Sequence, residues 1–213
     1  QMCIRDRHMA GFVNKFYSLG YNVLAADARA HGDSEGTKIG MGWPERFDVI
    51  EWIKLIISWD SNAQIILHGV SMGAATVLMA SGEELPENVK AIIADCGYTS
   101  EWEEFKCEAN ALHIPWFPVL NAASVMSKLR DGYDFKQASA LEKVKQSRIP
   151  TLFIHGSDDE LVPYSMLDKL YSAAACEKEC LTVNGAGHAL SSSVEPELYW
   201  NTVESFIDKY LEK

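Results

Sequence analysis

The stretch that most constrains this chain is Gly69-Val70-Ser71-Met72-Gly73, which has the form G-x-S-x-G. Residues 64–68 before it (QIILH) are an apolar run of strand length, and residues 74–80 after it (AATVLMA) read as a helix. Ser71 therefore falls on a tight turn between strand and helix, the context of a nucleophile elbow. On such a turn the serine backbone is strained and its hydroxyl is presented at the sheet edge. The glycines on either side permit this by carrying no side chain to clash. By itself the five-residue pattern recurs by chance, so the rest of the chain has to decide between a reactive serine and an ordinary one.

That decision begins with the order of elements. A helix is expected over residues 9–19, with Phe12, Val13, Phe16 and Tyr17 at helical spacing and Gly20 as its stop. Residues 23–27 (VLAAD) read as a first strand. Pro44 opens a helix carrying Phe47, Ile50, Ile53 and Ile56. Further strands are expected at residues 89–95, 151–155 and 180–183, a helix near residues 164–174, and a last helix opened by Glu195-Pro196-Glu197 with Tyr199, Val203, Phe206, Ile207 and Tyr210 on one face. Repeated strand-then-helix units imply an α/β fold with a mostly parallel sheet covered by helices on both faces. A chain of 213 residues, 47% hydrophobic, is long enough to fill one such domain.

Two segments stand apart. Residues 1–8 are set aside as a non-native leader, because Gln1 to Arg7 show no periodicity; residues 9–213 form the domain, whose first strands are expected to be missing. Between Asp95 and Thr151 the alternation is interrupted over roughly residues 98–148. This segment is too long for a plain loop and reads as a helical insert above the sheet. Its aromatic residues Trp102, Trp116 and Phe117 are candidates to line an apolar substrate pocket, or else pack the insert onto the domain.

The chemistry rests on residues downstream of Ser71. A serine hydroxyl needs a base in hydrogen-bond reach and a third group to orient that base. His155-Gly156-Ser157-Asp158-Asp159 comes after one strand, and Gly185-Ala186-Gly187-His188 after the last, giving the order Ser, Asp, His. Asp158 and Asp95 compete with Asp159 for the acid. Arg29 and His31, in the polar loop after the first expected strand, either line a pocket or bond loop carbonyls, and the second reading is favoured. The other histidines, His8, His68, His113 and His155, lie before the nucleophile, in the insert or at a strand end, which leaves His188 as the base.

With these motifs in register, from residue 9 to the C-terminus the chain resembles a bacterial α/β-hydrolase of the serine aminopeptidase-like group. The residues that carry the resemblance are Asp27-x-Arg29-x-His31-Gly32-x-Ser34-x-Gly36, Gly69-x-Ser71-x-Gly73, His155-Gly156-x-x-Asp159-x-x-Val162-Pro163 and Gly187-His188. The resemblance implies Ser71 as nucleophile, Asp159 as acid and His188 as base, acting on an ester, thioester or amide bond. The Met72 backbone N–H would serve as one oxyanion donor. The second donor of that group lies on a loop after a strand earlier than any in this chain. The rival readings are an incompetent fragment, a non-catalytic binding module on the same scaffold, and an acyltransferase.

A net charge of -11 argues against nucleic acid and anionic membranes as partners, and the resemblance implies a small molecule or a peptide as substrate. Five cysteines without scaffold spacing point to a reducing compartment, cytoplasmic by default, with a membrane anchor possible ahead of residue 1. No cofactor or metal is implied: Cys176 and Cys180 lack the further ligands of a zinc site.

Overall fold

The computed structural model describes residues 6–211. Its elements run α1 (Asp6–Ser18), α2 (Glu45–Trp59), β1 (Ile65–Val70), α3 (Met72–Ala80), β2 (Val89–Asp95), α4 (Glu101–Ala111), α5 (Trp116–Asp131), α6 (Ala140–Val144), β3 (Thr151–Gly156), α7 (Ser165–Ala173), β4 (Lys178–Val183), α8 (Ser191–Val194) and α9 (Pro196–Ile207). The four strands form one parallel sheet in the order β1-β2-β3-β4. All of its ends that carry chemistry therefore point the same way, toward the C-terminal edge where open α/β sheets place their sites.

The strands are apolar on both sides because both sides are covered. Along β2, Ile92 and Ala94 face a core built with α2, α3, α6 and α7, including Ile53, Leu78, Val144 and Leu170. Their neighbours Ala91 and Ile93 face the opposite core, where Tyr199, Val203, Phe206 and Ile207 of α9 are fully buried and Phe12 and Phe16 of α1 pack beside them. Each such large side chain contributes about 1.5–3 kcal/mol on burial. Among the described residues, no helix is long and apolar enough to cross a membrane.

The expected elements recur within a few residues of their sequence positions, with two differences. Helix α1 begins at Asp6, inside the segment set aside as a leader; residues 1–5 lie outside the described residues. The strand expected at residues 23–27 does not form. That segment runs along a cavity of about 640 Å³ whose other wall includes Ile65, Leu67 and His68. A strand needs a ladder partner about 4.8 Å away, and none of the four strands of the sheet pairs with this segment. Val23 and Leu24 are accordingly 38% and 40% exposed. Apolar composition predicted the extended backbone here but not the pairing.

The insert is delimited by an isolated antiparallel bridge between Ser100 and Ser139. Each of these serines also caps the helix that follows it: Ser100 Oγ accepts from the Glu103 N–H and Ser139 Oγ from the Glu142 N–H, both at 3.2 Å. The insert proper is therefore α4 and α5, while α6 has returned to the main domain and packs on α3.

Candidate active site

Strand β1 ends at Val70 and helix α3 begins at Met72, leaving Ser71 alone to make the turn. Its backbone sits at φ 55°, ψ -117°, a conformation that L-residues rarely adopt. The geometry is held by the Ser71 N–H, which donates to the Asp95 carbonyl at 2.8 Å, and by the close approach of Gly69 to the following turn. A Cβ on Gly69 would lie 2.3 Å from both the carbonyl carbon and the oxygen of Gly73. Met72, as the first residue of α3, presents an N–H that has no acceptor within the helix. Every residue of α3 is buried, so the turn is anchored by the core beneath it.

Two loops bring the other groups to Ser71. The first follows β3, the second follows β4, and they touch where Gly156 meets Ala186: a Cβ on Gly156 would lie 2.1 Å from the Ala186 carbonyl oxygen. The Asp158 N–H donates to that same oxygen at 3.0 Å. The resulting array links His188 Nε2 to Ser71 Oγ at 2.8 Å and His188 Nδ1 to Asp159 Oδ2 at 2.8 Å. A carboxylate only accepts, so Nδ1 carries the proton and Nε2 is the lone pair facing the serine hydroxyl. Burial pushes the Asp159 pKa up, but hydrogen bonds from His155 and His188 and from backbone N–H groups outweigh it and hold the carboxyl well below the usual range. Two of those backbone donors, Leu161 N–H at 3.0 Å and Val162 N–H at 2.9 Å, hold Oδ1.

The competitors for these places have other partners. Asp158 accepts from its neighbour Ser157 Oγ at 2.6 Å and is exposed. Arg29 forms a two-pronged pair with Asp48 at 2.6 and 2.7 Å, which ties its loop to α2 in place of the expected bond to a loop carbonyl, and His31 Nδ1 meets the Arg29 carbonyl at 2.9 Å within the loop. His68 contacts the Tyr199 hydroxyl at 3.3 Å, and His113 sits in an exposed turn at φ 56°. Among the described residues, Cys96, Asp159 and His188 offer ligand atoms within 4.8 Å of one another, but Asp159 and His188 are already engaged with each other, and burial raises the Cys96 thiol pKa. Cys176 and Cys180 are free thiols.

Asp95 is the notable competitor. It is completely buried at the end of β2, and neither carboxyl oxygen has a hydrogen-bond partner within ordinary distance. Burial raises its pKa to about 7, moderated by Tyr199, His155, His188 and Ser191 nearby. Between the ordinary carboxylate pKa and about 7 the unfolded chain loses this proton while the folded chain keeps it, so folding stability falls as pH rises through that window. Asp95→Asn, which carries no charge to desolvate, is expected to stabilise the protein at pH 8 by on the order of 1 kcal/mol or more. It should make a much smaller difference at pH 4, close to the ordinary carboxylate pKa, where the folded chain holds the proton and the unfolded chain has lost it only in part. Urea titrations of both proteins at the two pH values check this; equal shifts at pH 4 and pH 8 would contradict it.

The insert aromatics pack on one another. Trp102 and Trp116 meet edge to face at 6.4 Å between centroids, Trp116 and Phe117 likewise at 6.2 Å, and Lys136 Nζ lies 4.5 Å from the Trp102 ring. Phe117 is 66% exposed. None of the three lines the 640 Å³ cavity, and neither do Ser71, Asp159 and His188. The backbone breaks from helical geometry at Phe117, between Pro115 and Pro118, and this aims its ring outward. Sequence reasoning also passed over His155, whose ring lies against Asp159. Its signal was present in the spacing His155-Gly156-x-x-Asp159-x-x-Val162.

The Peptidase_S9 model, which describes the prolyl oligopeptidase family, matches residues 13–213. Protein YqkD of Bacillus subtilis (strain 168) is 32% identical over 199 residues, covering 92% of this chain and 65% of its own length. Lysophosphatidylserine lipase ABHD12 of Macaca fascicularis is 33% identical over 159 residues, covering 74% of this chain and 39% of its own. The chain thus spans less than two thirds of the length of either relative. Among solved structures, the Pyrococcus furiosus esterase Pf2001 superposes with a TM-score of 0.79 at 23% identity, over 97% of this chain and 78% of that one. The parallel sheet, the elbow after β1 and these likenesses establish an α/β-hydrolase fold, and the chain belongs to the prolyl oligopeptidase family.

Proposed function

We propose that this chain is the catalytic part of a serine hydrolase that cleaves a carboxylic ester, or a related thioester or amide, through an acyl-enzyme. The observation that carries the reading is the unbroken line from Ser71 Oγ through His188 to Asp159, with both links at 2.8 Å. His188 Nε2 takes the serine proton as Oγ attacks the carbonyl carbon. Asp159 keeps Nδ1 protonated and stabilises the imidazolium that forms. The tetrahedral oxyanion develops beside the N-terminus of α3, where the Met72 N–H donates to it and the helix dipole favours negative charge. His188 then returns the proton to the leaving alkoxide, thiolate or amine, and water repeats the sequence to release the acid.

An ester is the favoured bond. The named relatives include a lipase and an esterase, and α5 of the insert exposes apolar side chains, among them Phe117, Val119, Val125, Met126 and Leu129. A fluorophosphonate probe tests the chemistry without the natural substrate. The expected result is an adduct on Ser71, located by peptide mass spectrometry, that is lost in His188→Ala. A folded protein that stays unlabelled, or a label that persists in His188→Ala, would remove the basis of the proposal.

A further inference from the structure

His155 ends β3 with its side chain completely buried, and the mechanism above leaves it without a part. Its Nε2 lies 2.9 Å from the Val162 carbonyl oxygen and 3.2 Å from Asp159 Oδ2. Both neighbours are acceptors, so Nε2 carries a proton and shares it between them. One imidazole thereby ties the start of the acidic loop to its far end. Asp159 Oδ2 in turn has two donors, His155 from beneath and His188 from the site, while Oδ1 is held by the Leu161 and Val162 N–H groups. A carboxylate gripped at both oxygens has neither rotational freedom about its terminal bond nor spare acceptor capacity for water.

We propose that His155 is a positioning residue for the catalytic base, fixing the plane of the Asp159 carboxylate and drawing off part of its negative charge so that His188 is aligned and only moderately stabilised as imidazolium. This rests on the reading of Ser71, His188 and Asp159 as a catalytic triad. The same bond accounts for the spacing between His155, Asp159 and Val162: an i,i+4 separation puts the carboxylate over the ring, and three further residues return a carbonyl to the same N–H.

The surroundings of His155 leave this bond little competition. Asp95 faces it from the end of β2, and Tyr164, just ahead of α7, meets its ring edge-on at 5.8 Å. His188 lies across Asp159, and Glu104 of α4 is near enough to sense the charge of Asp159. Nδ1 of His155 is buried without a hydrogen-bond partner, so the ring is held by its Nε2 side.

The test compares His155→Leu with His155→Gln, whose amide nitrogen reaches about as far as Nε2 and can donate to the same oxygens. The readouts are the pH dependence of hydrolysis of a p-nitrophenyl ester and of the fluorophosphonate labelling rate, together with the low-field proton resonance of His188 Nδ1–H. In His155→Leu, kcat should fall roughly tenfold with KM nearly unchanged, because a charge-assisted donor is lost from the machinery but not from substrate binding. With less of its charge drawn off, Asp159 should stabilise the imidazolium more, moving the acid limb of both profiles to higher pH and shifting the His188 resonance. His155→Gln should restore most of the rate and bring the limb back. A folded His155→Leu protein with an unmoved acid limb and an unchanged His188 resonance would overturn the proposal, since loss of packing alone alters stability and not the limb. An equal defect in the Gln variant would overturn it too. The resonance needs no turnover, so it decides the role of His155 even if the wild-type serine fails to react, a failure that would count against the hydrolase reading instead.

Discussion

Ser71→Ala should reduce ester hydrolysis by roughly 10⁴-fold or more while leaving the folded protein intact. The deletion removes one oxygen atom. His188 loses one 2.8 Å partner, but Asp159 still holds its other nitrogen, so the ring has no reason to leave its position. The Ser71 N–H bond to Asp95 and the packing of α3 involve no serine side-chain atom and persist. Alanine at φ 55° is as strained as serine, so the thermal midpoint should stay within a few degrees. Steady-state kinetics on a p-nitrophenyl ester and a melting curve test both halves. Turnover within tenfold of wild type would show that some other group supplies the nucleophile.

Gly69→Ala should do the opposite, damaging the fold first and the chemistry as a consequence. The added methyl would have to occupy space 2.3 Å from the Gly73 carbonyl group and 2.6 Å from the Ala74 nitrogen. These are backbone atoms of a fully buried helix, which cannot swing aside as a side-chain tip can. Either the strand end or the start of α3 must move, and each is tied to β2 or to the core. A loss of about 3 kcal/mol or more is expected, which for a chain of this size lowers the midpoint by roughly 6–12 °C. The Ser71–His188 distance would open at the same time. Circular dichroism melts with parallel probe labelling check this; a variant of wild-type stability would mean that the elbow is far softer than its contacts indicate.

These two substitutions also mark what can be read from a sequence. The elbow was legible because its chemistry is local: G-x-S-x-G between an apolar strand and an alanine-rich helix leaves few other conformations. Asp159 and His188 were legible through their order and their place after strands. The preference for Asp159 over Asp158 rests on loop spacing and leaves Asp95 as a competitor; the geometry puts Asp159 on His188. The extended segment at residues 23–27 was misread as a strand because pairing depends on what lies alongside, which no local pattern encodes. Phe117 is a pocket candidate in the sequence because it lies in an insert expected above the sheet; its exposure follows from a backbone break between two prolines, which composition alone does not announce. His155 belongs to a motif of the sequence yet has no visible role there, since a single histidine at a strand end looks like an ordinary core residue until its ring nitrogen is set against Asp159.

The bridge between Ser100 and Ser139 has an evolutionary consequence. It joins the two feet of the insert, so the entropic cost of closing that excursion is settled at its base and depends only weakly on how much chain lies beyond. The part of the excursion furthest from that bridge, where α4 passes into α5, can then be lengthened or shortened while its base stays in register. A lineage built on this scaffold could vary the outer end of the insert by trading one stretch of chain, leaving the hydrogen-bonded line of Ser71, His188 and Asp159 in place.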